Sequence, residues 1–184
     1  TMRLSISGTH NSGKTELLQN FLQFWHVYNT PKTTYRQHLI DNNFAHSSET
    51  TPATQLSILS FMVDQLKATS KTDNVVFDRC PLDNLVYTLW AHEKSLPGFT
   101  QSFVDETIAR VRESMRMVDI IFWARFDQSL LPQDDGFRNT DTQMILEIDN
   151  IFAALADQLQ QHPDADIFFP KDDSPTIIEL PHDG

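Results

Sequence analysis

Residues 5–18 read SISGTHNSGKTELL, and eight of them, GTHNSGKT from Gly8 to Thr15, fit the pattern G-x-x-x-x-G-K-[ST] without a mismatch. No other stretch narrows the choice of fold as much. The glycines let successive backbone N–H groups turn inward on an anion, and the helix that opens at the loop adds its positive end. The flanks carry the argument further than the pattern does. Upstream, Met2 to Ser7 alternates apolar with small polar residues, as a short strand does. Downstream, Leu17, Leu18, Phe21, Leu22 and Trp25 recur at helical spacing with no Gly or Pro between them. Strand, loop and helix in that order is the setting in which such a loop holds phosphate. Gly8, Thr9, His10, Asn11, Ser12, Gly13, Lys14 and Thr15 are therefore expected to bind ATP. Lys14 is placed for the β- and γ-phosphates and the Thr15 hydroxyl for Mg²⁺.

The remainder of the chain alternates in the same way. Lys32 to Tyr35 (KTTY) is read as a short second strand after a loop through Asn29 and Pro31. A helix follows from about Ala53 to Thr69, with Leu56, Leu59, Met62, Val63 and Leu66 on one face. Val75–Phe77 is a brief apolar strand, and Pro81 suits the first turn of the next helix. Phe103–Met117 is amphipathic, Asp119–Phe126 is a buried strand, and Met144 to Leu159 carries another helical stripe. Ala165–Phe169 (ADIFF) is read as a fifth strand and PTIIEL near the end as a sixth, on an edge. Strands alternating with helices predict a three-layer α/β domain. Its centre is a five-stranded parallel sheet with helices on both faces, the P-loop NTPase arrangement. No linker or internal repeat divides residues 1–184, and a lid segment is expected around 128–140.

Ligands of such sheets sit beyond the carboxyl ends of the strands, which singles out the residue after each apolar run. Asp78 and Arg79 follow Val75–Phe77. Asp78 is suited to orient Mg²⁺ or to take a proton from an attacking hydroxyl, the competing role being a cap for the Pro81 helix. Arg79 is suited to reach an acceptor, or else to pair locally. Asp83 reads as a first-turn acid favoured by the helix dipole. Tyr35 and Arg36, at the end of the second expected strand, are candidates to stack on a ring and to clamp an anionic substrate. Arg138 lies beside Gly136 in the long polar interruption, where a closing segment would bring it onto the transferring phosphoryl group. Arg125 is a weaker candidate because Asp127 is at hand to pair with it.

Charge and composition remove several classes. A net charge of −11 argues against extended contact with nucleic acid, which needs clustered Lys and Arg. A single cysteine, Cys80, gives no disulfide framework, and the simplest home for the chain is the cytoplasm. No apolar run is long enough for a membrane span. The seven histidines show no metal-ligand spacing. SKTD at Ser70–Asp73 imitates a guanine-reading element but precedes its strand instead of following one. Trp90 and the Phe99/Phe103 region suit either the core or the interface of a homodimer.

Taken together, GTHNSGKT, FDRCPLDNLVYTLWA and DDGFRNTD resemble a family of small P-loop ATP-binding proteins. That family includes the ribosylnicotinamide kinase domain of bifunctional nicotinamide-nucleotide adenylyltransferases and is related to nucleoside and thymidylate kinases. The matching positions are Asp78, Arg79, Pro81, Leu82 and Asp83, then Asp134, Asp135, Gly136, Arg138, Thr140 and Asp141. The resemblance implies a kinase-type fold, an ATP·Mg²⁺ site and a lid carrying Arg138. Many nucleoside kinases place an acidic base after strand two. Here the segment is TPKTTYR, which leaves Asp78 as the main candidate base. The expectation is thus a kinase acting on a nucleoside, nucleotide or nicotinamide riboside. The alternative is an ATP-binding switch or slow ATPase working through a protein partner.

Overall fold

The computed structural model of the chain describes residues 2–9, 13–42, 51–126, 139–162 and 166–180. Strand β1 (Arg3–Gly8) leads to α1 (Lys14–Phe24) and α2 (Tyr35–Asp41). Helix α3 (Pro52–Lys67) precedes β2 (Val75–Asp78) and α4 (Pro81–Glu93). Helix α5 (Gln101–Ser114) ends in a 3₁₀ turn (Met115–Met117) before β3 (Ile120–Ala124). Helix α6 (Asn139–Gln161) and strand β4 (Thr176–Leu180) complete the order. The described strands form one parallel sheet in the order β2-β1-β3-β4.

Side-chain alternation divides the core between the two faces of this sheet. Leu4, Ile6 and Val76 point to α1 and meet Leu17, Leu18 and Phe21, with Ile120 and Phe122 beside them. Phe77, Ile121, Trp123 and Ile177 point the other way, against Leu59, Leu82, Leu85, Val111 and Phe152 of α3 to α6. Residues one apart on β2 and on β3 thus serve opposite layers, as the period of two requires. All six positions of β1 are buried, the signature of a central parallel strand covered on both sides. That strand sets Gly8 and Thr9, the described start of the loop, at the carboxyl end of an inner strand of the sheet.

Of the six strand segments read from the sequence, four pair in the described sheet, against the five strands expected for it, and two do not. Lys32–Tyr35 does not pair. The second strand contracts to a single parallel bridge between Asn29 and Val75, and Pro31 follows at once without an N–H to continue it. Thr34 then caps a helix by accepting from the Gln37 N–H at 3.2 Å, so Tyr35 and Arg36 open α2 instead of closing a strand. The described part of ADIFF, Asp166–Phe169, is bent. The Asp166 and Ile167 carbonyls accept from the Arg112 guanidinium and not from a neighbouring strand. The place beside β3 belongs to TIIEL, Thr176–Leu180. Trp90 is half-buried and donates to Glu147, and Phe99 is buried against Phe103, so the structure gives all three intramolecular contacts.

Candidate active site

The site grows from the ends of β1 and β2. Ile6 pairs with Asp78, and the Arg79 N–H extends the ladder by one bond to the Ile6 carbonyl at 2.9 Å. Arg79 then takes φ 70°, a left-handed conformation that costs a non-glycine residue roughly 1–2 kcal/mol and turns the chain out of the sheet. Pro81 starts α4 immediately afterwards. Across from this turn, Gly8 leaves β1 at φ 142° and Gly13 opens α1 at φ 79°, both glycine conformations. His10, Asn11 and Ser12 lie outside the described residues, as does Arg138.

Lys14 is the first residue of α1 and is buried, with its ammonium donating to the Thr9 carbonyl. Burial pushes its pKa well below the ordinary lysine value. The Arg79 guanidinium adds to that, Arg36 contributes less, and the carboxylates of Asp83 and Asp78 oppose it. Thr15, the expected Mg²⁺ ligand, is exposed beside it. The half-buried Asp78 is not the cap of α4. That position belongs to Cys80, whose N–H donates to the Asp83 carboxylate at 3.0 Å.

Arg79 lies at the centre of the cluster. Its Nη1 donates to the Gly8 carbonyl at 3.0 Å and stands 3.9 Å from the Asp83 carboxylate. The guanidinium lies over the Tyr35 ring, 4.9 Å from the centroid. Its Nε and Nη2 are out of solvent and have no hydrogen-bond partner among the described residues. Arg36 follows Tyr35 on the first turn of α2. Its pKa is raised by the Tyr35 hydroxyl first and by Asp78 to a smaller degree. Lys14, Asp78, Arg79, Tyr35 and Arg36 therefore meet at one edge of the sheet although they come from three separated segments. The helical position of Tyr35 and Arg36 does not keep them out.

The structure adds residues that the sequence reading passed over. A cavity of about 40 Å³ runs from Gly8, Thr9, Arg79 and Asp83 to Val86, Tyr87, Met144, Ile145, Ile148 and Phe152. Asp83 and Tyr87 are one helical turn apart on α4, so that spacing was a legible signal that both face the loop. Arg125 is already engaged, though not by Asp127. It pairs with Asp149 at 3.0 Å and Glu179 at 3.6 Å and stacks on Trp123.

No group of three or more His, Cys, Asp or Glu side chains able to hold a metal occurs among the described residues. One hydroxyl and one carboxylate, Thr15 and Asp78, are nonetheless the donor types with which a phosphate-bound Mg²⁺ is held, water and phosphate oxygens completing the shell. The residues present fit that ion. Among the described residues no helix is long and apolar enough to cross a membrane.

A parallel sheet with this loop after its central strand and helices on both faces defines the P-loop kinase-like fold. The chain belongs to the AAA domain family, whose model matches residues 3–163. A comparison with curated protein sequences gives no match. Among solved structures, thymidylate kinase from Candida albicans is similar at TM-score 0.69 and 14% identity, over 100% of this chain and 85% of that one. Deoxyadenosine kinase from M. mycoides, solved with dCMP and a flexible dCDP, is similar at TM-score 0.66 and 14% identity, over 98% and 90%. The NadR protein in complex with NR matches at TM-score 0.60 and 19% identity. All of this chain is covered there, but only 47% of NadR. At such identities the likeness is one of fold.

Proposed function

We propose that this chain is an ATP·Mg²⁺-dependent kinase. It would transfer the γ-phosphoryl group to a hydroxyl or phosphate oxygen of a nucleoside, nucleotide or nicotinamide riboside. The observation that carries the reading is the convergence of Lys14, Asp78 and the partly unpartnered Arg79 beyond β1 and β2, over a cavity with an apolar far wall. The cavity's polar end, at Gly8, Thr9 and Arg79, would meet an anion's oxygens, while at about 40 Å³ the cavity would have to widen along Tyr87, Met144 and Ile148 to take a ring.

In this mechanism the loop Gly8–Thr15 holds the phosphates, and Lys14 offsets charge on the moving group. Thr15 and Asp78 would hold Mg²⁺, which when bound would offset negative charge on the phosphates. The acceptor oxygen attacks the γ-phosphorus and the bond to the β-phosphate oxygen breaks. The acceptor's proton passes to Asp78 unless that carboxylate is committed to the metal. Tyr35, Arg36 and Arg79 orient the acceptor, and Arg138 is the arginine that closure would bring from the lid segment. Small-molecule work of this kind in the cytoplasm suits a chain of charge −11, since three cations gathered in one cleft suffice for a small anion.

The test is ADP release from ATP·Mg²⁺, alone and with nucleosides, deoxynucleosides, their monophosphates, nicotinamide riboside and a short single-stranded DNA. Lys14→Ala serves as the blank. Turnover that jumps with one acceptor class is expected, and Asp78→Asn should cut that turnover far more than ATP affinity. A slow rate indifferent to every acceptor would refute the kinase and make the chain an ATP-driven switch.

A further inference from the structure

We infer that Asp83 is a positioning residue that locks Arg79 to the entrance of the phosphate loop, so that the donor and acceptor sides of the cleft move as one unit. The inference rests on the kinase reading for its functional meaning, though not for its geometry.

An acidic residue at the third position of a helix ordinarily reaches back to the N-cap N–H with one oxygen and leaves the other in water. Asp83 uses one oxygen in that way, on the Cys80 N–H at 3.0 Å. Its second oxygen accepts from the Gly8 N–H at 2.9 Å, 75 residues away in sequence, and its side chain is only 4% exposed. The reason lies in how the sheet ends. Strand β2 stops opposite Ile6, and the left-handed turn at Arg79 carries the chain away. The carboxylate of Asp83 takes the place that a continuing strand would have filled beside Gly8. Gly8 is thereby held on both sides, its N–H by Asp83 and its carbonyl by the Arg79 Nη1. Arg79 is in turn fixed by Gly8, by the Asp83 charge and by the Tyr35 ring, which leaves Nε and Nη2 for an anion. Capping alone would explain the bond to Cys80. It does not explain a buried carboxylate whose second oxygen is taken up by the Gly8 N–H at the end of another strand.

The test combines a spectroscopic readout with a kinetic cycle. The Arg79 Nε–H resonance is assigned in the nucleotide-free protein by its loss in Arg79→Lys, then followed in Asp83→Asn. It should shift or broaden when the anchor goes. Turnover with the acceptor found above is measured for Asp83→Asn, Arg79→Lys and the double variant. The Asp83→Asn loss is expected to be about tenfold in kcat in the wild-type background and to vanish, within about threefold, in the Arg79→Lys background. Losses that multiply, or an Arg79 resonance that stays in place, would overturn the inference and leave Asp83 a cap. If Asp83→Asn does not fold, Asp83→Glu takes its place in both measurements, with the same two outcomes deciding. If no acceptor supports turnover in the wild type, the kinase reading falls, and the Arg79 resonance alone decides the role of Asp83.

Discussion

Lys14 should gain a proton when nucleotide binds, and that proton can be counted. In the nucleotide-free protein the lysine is 6% exposed, and its pKa is lowered chiefly by burial and then by Arg79. Between that lowered value and 10.5, the unfolded chain holds a proton on Lys14 that the folded chain does not. A phosphate oxygen reverses the balance. One unit negative charge at about 4 Å is worth on the order of 4 kcal/mol to the ammonium at an effective dielectric near 20, which opposes the depression caused by burial and Arg79. With one lysine involved, the uptake should approach about one proton per nucleotide as the pH is raised through the window. The assay is calorimetry of ATP·Mg²⁺ binding in buffers of different ionisation enthalpy, at pH values well above the phosphate's own pKa of about 6. The slope of observed heat against buffer enthalpy gives the proton number. Affinity should weaken toward high pH as Lys14 becomes costlier to protonate. Lys14→Met should abolish the uptake and bind nucleotide poorly. It should also flatten the rise in stability with pH that the nucleotide-free wild type shows below 10.5, since there the unfolded state binds the extra proton. Zero uptake across the series, or the same uptake in Lys14→Met, would refute the reasoning.

Three further outcomes follow from other parts of the molecule. Arg138→Ala should lower turnover by roughly 10³ to 10⁵ if that arginine stabilises the transferring group, and single-turnover kinetics checks it. Glu147 on α6 takes hydrogen bonds from Lys94, Gln143 and Trp90, which hold its pKa down at about 2. Its contribution to stability is fully present above 4.5 and fades as the pH falls through about 2. Acid unfolding of Glu147→Gln should therefore lack that part of the slope. Gly98 has φ +83°, and a Cβ there would stand 2.7 Å from Cγ of Pro52 at the start of α3. Gly98→Ala should cost about 2 kcal/mol and lower Tm by roughly 4–8 °C in a thermal melt.

Much of this arrangement was legible before any coordinates. The loop and its flanks located β1 and α1. Short apolar runs ending in polar residues placed Asp78 and Arg79 beside Lys14, because the strand-end rule depends only on topology. Helix α3 runs over Pro52–Lys67 where leucine and valine spacing had set Ala53 to Thr69. Two short segments misled. KTTY has strand composition, but Thr34 finds an N–H three residues on and the helix wins locally. ADIFF is an apolar run of a length at which strand and loop cannot be told apart by pattern. What decides it is Arg112, more than fifty residues away in sequence and invisible to any local window. The sharing of Asp83 between Cys80 and Gly8 is hidden for the same reason. A motif shows that an acid opens α4, but only the register of β1 against β2 reveals what its second oxygen meets.

The most telling feature of the cleft is that its costs fall on one residue. Arg79 carries a left-handed backbone, which disfavours any side chain with a Cβ, and a buried guanidinium with two nitrogens lacking acceptors among the described residues. It also sits close enough to Lys14 to depress that lysine's pKa. Each of these works against the stability of the ligand-free fold, and a purely structural arginine in this place would need none of them. A phosphate or hydroxyl oxygen between Lys14 and Arg79 would relieve the last two together, by accepting from Arg79 and by separating the like charges with a negative one. The left-handed turn at Arg79 fixes where its side chain leaves the backbone, beside the Gly8 carbonyl and Asp83. Arg79→Gln should weaken nucleotide binding in calorimetry, and it should also cost the ligand-free fold stability, because Asp83 and the Gly8 carbonyl lose their cation; unchanged nucleotide affinity would refute the role given to Arg79.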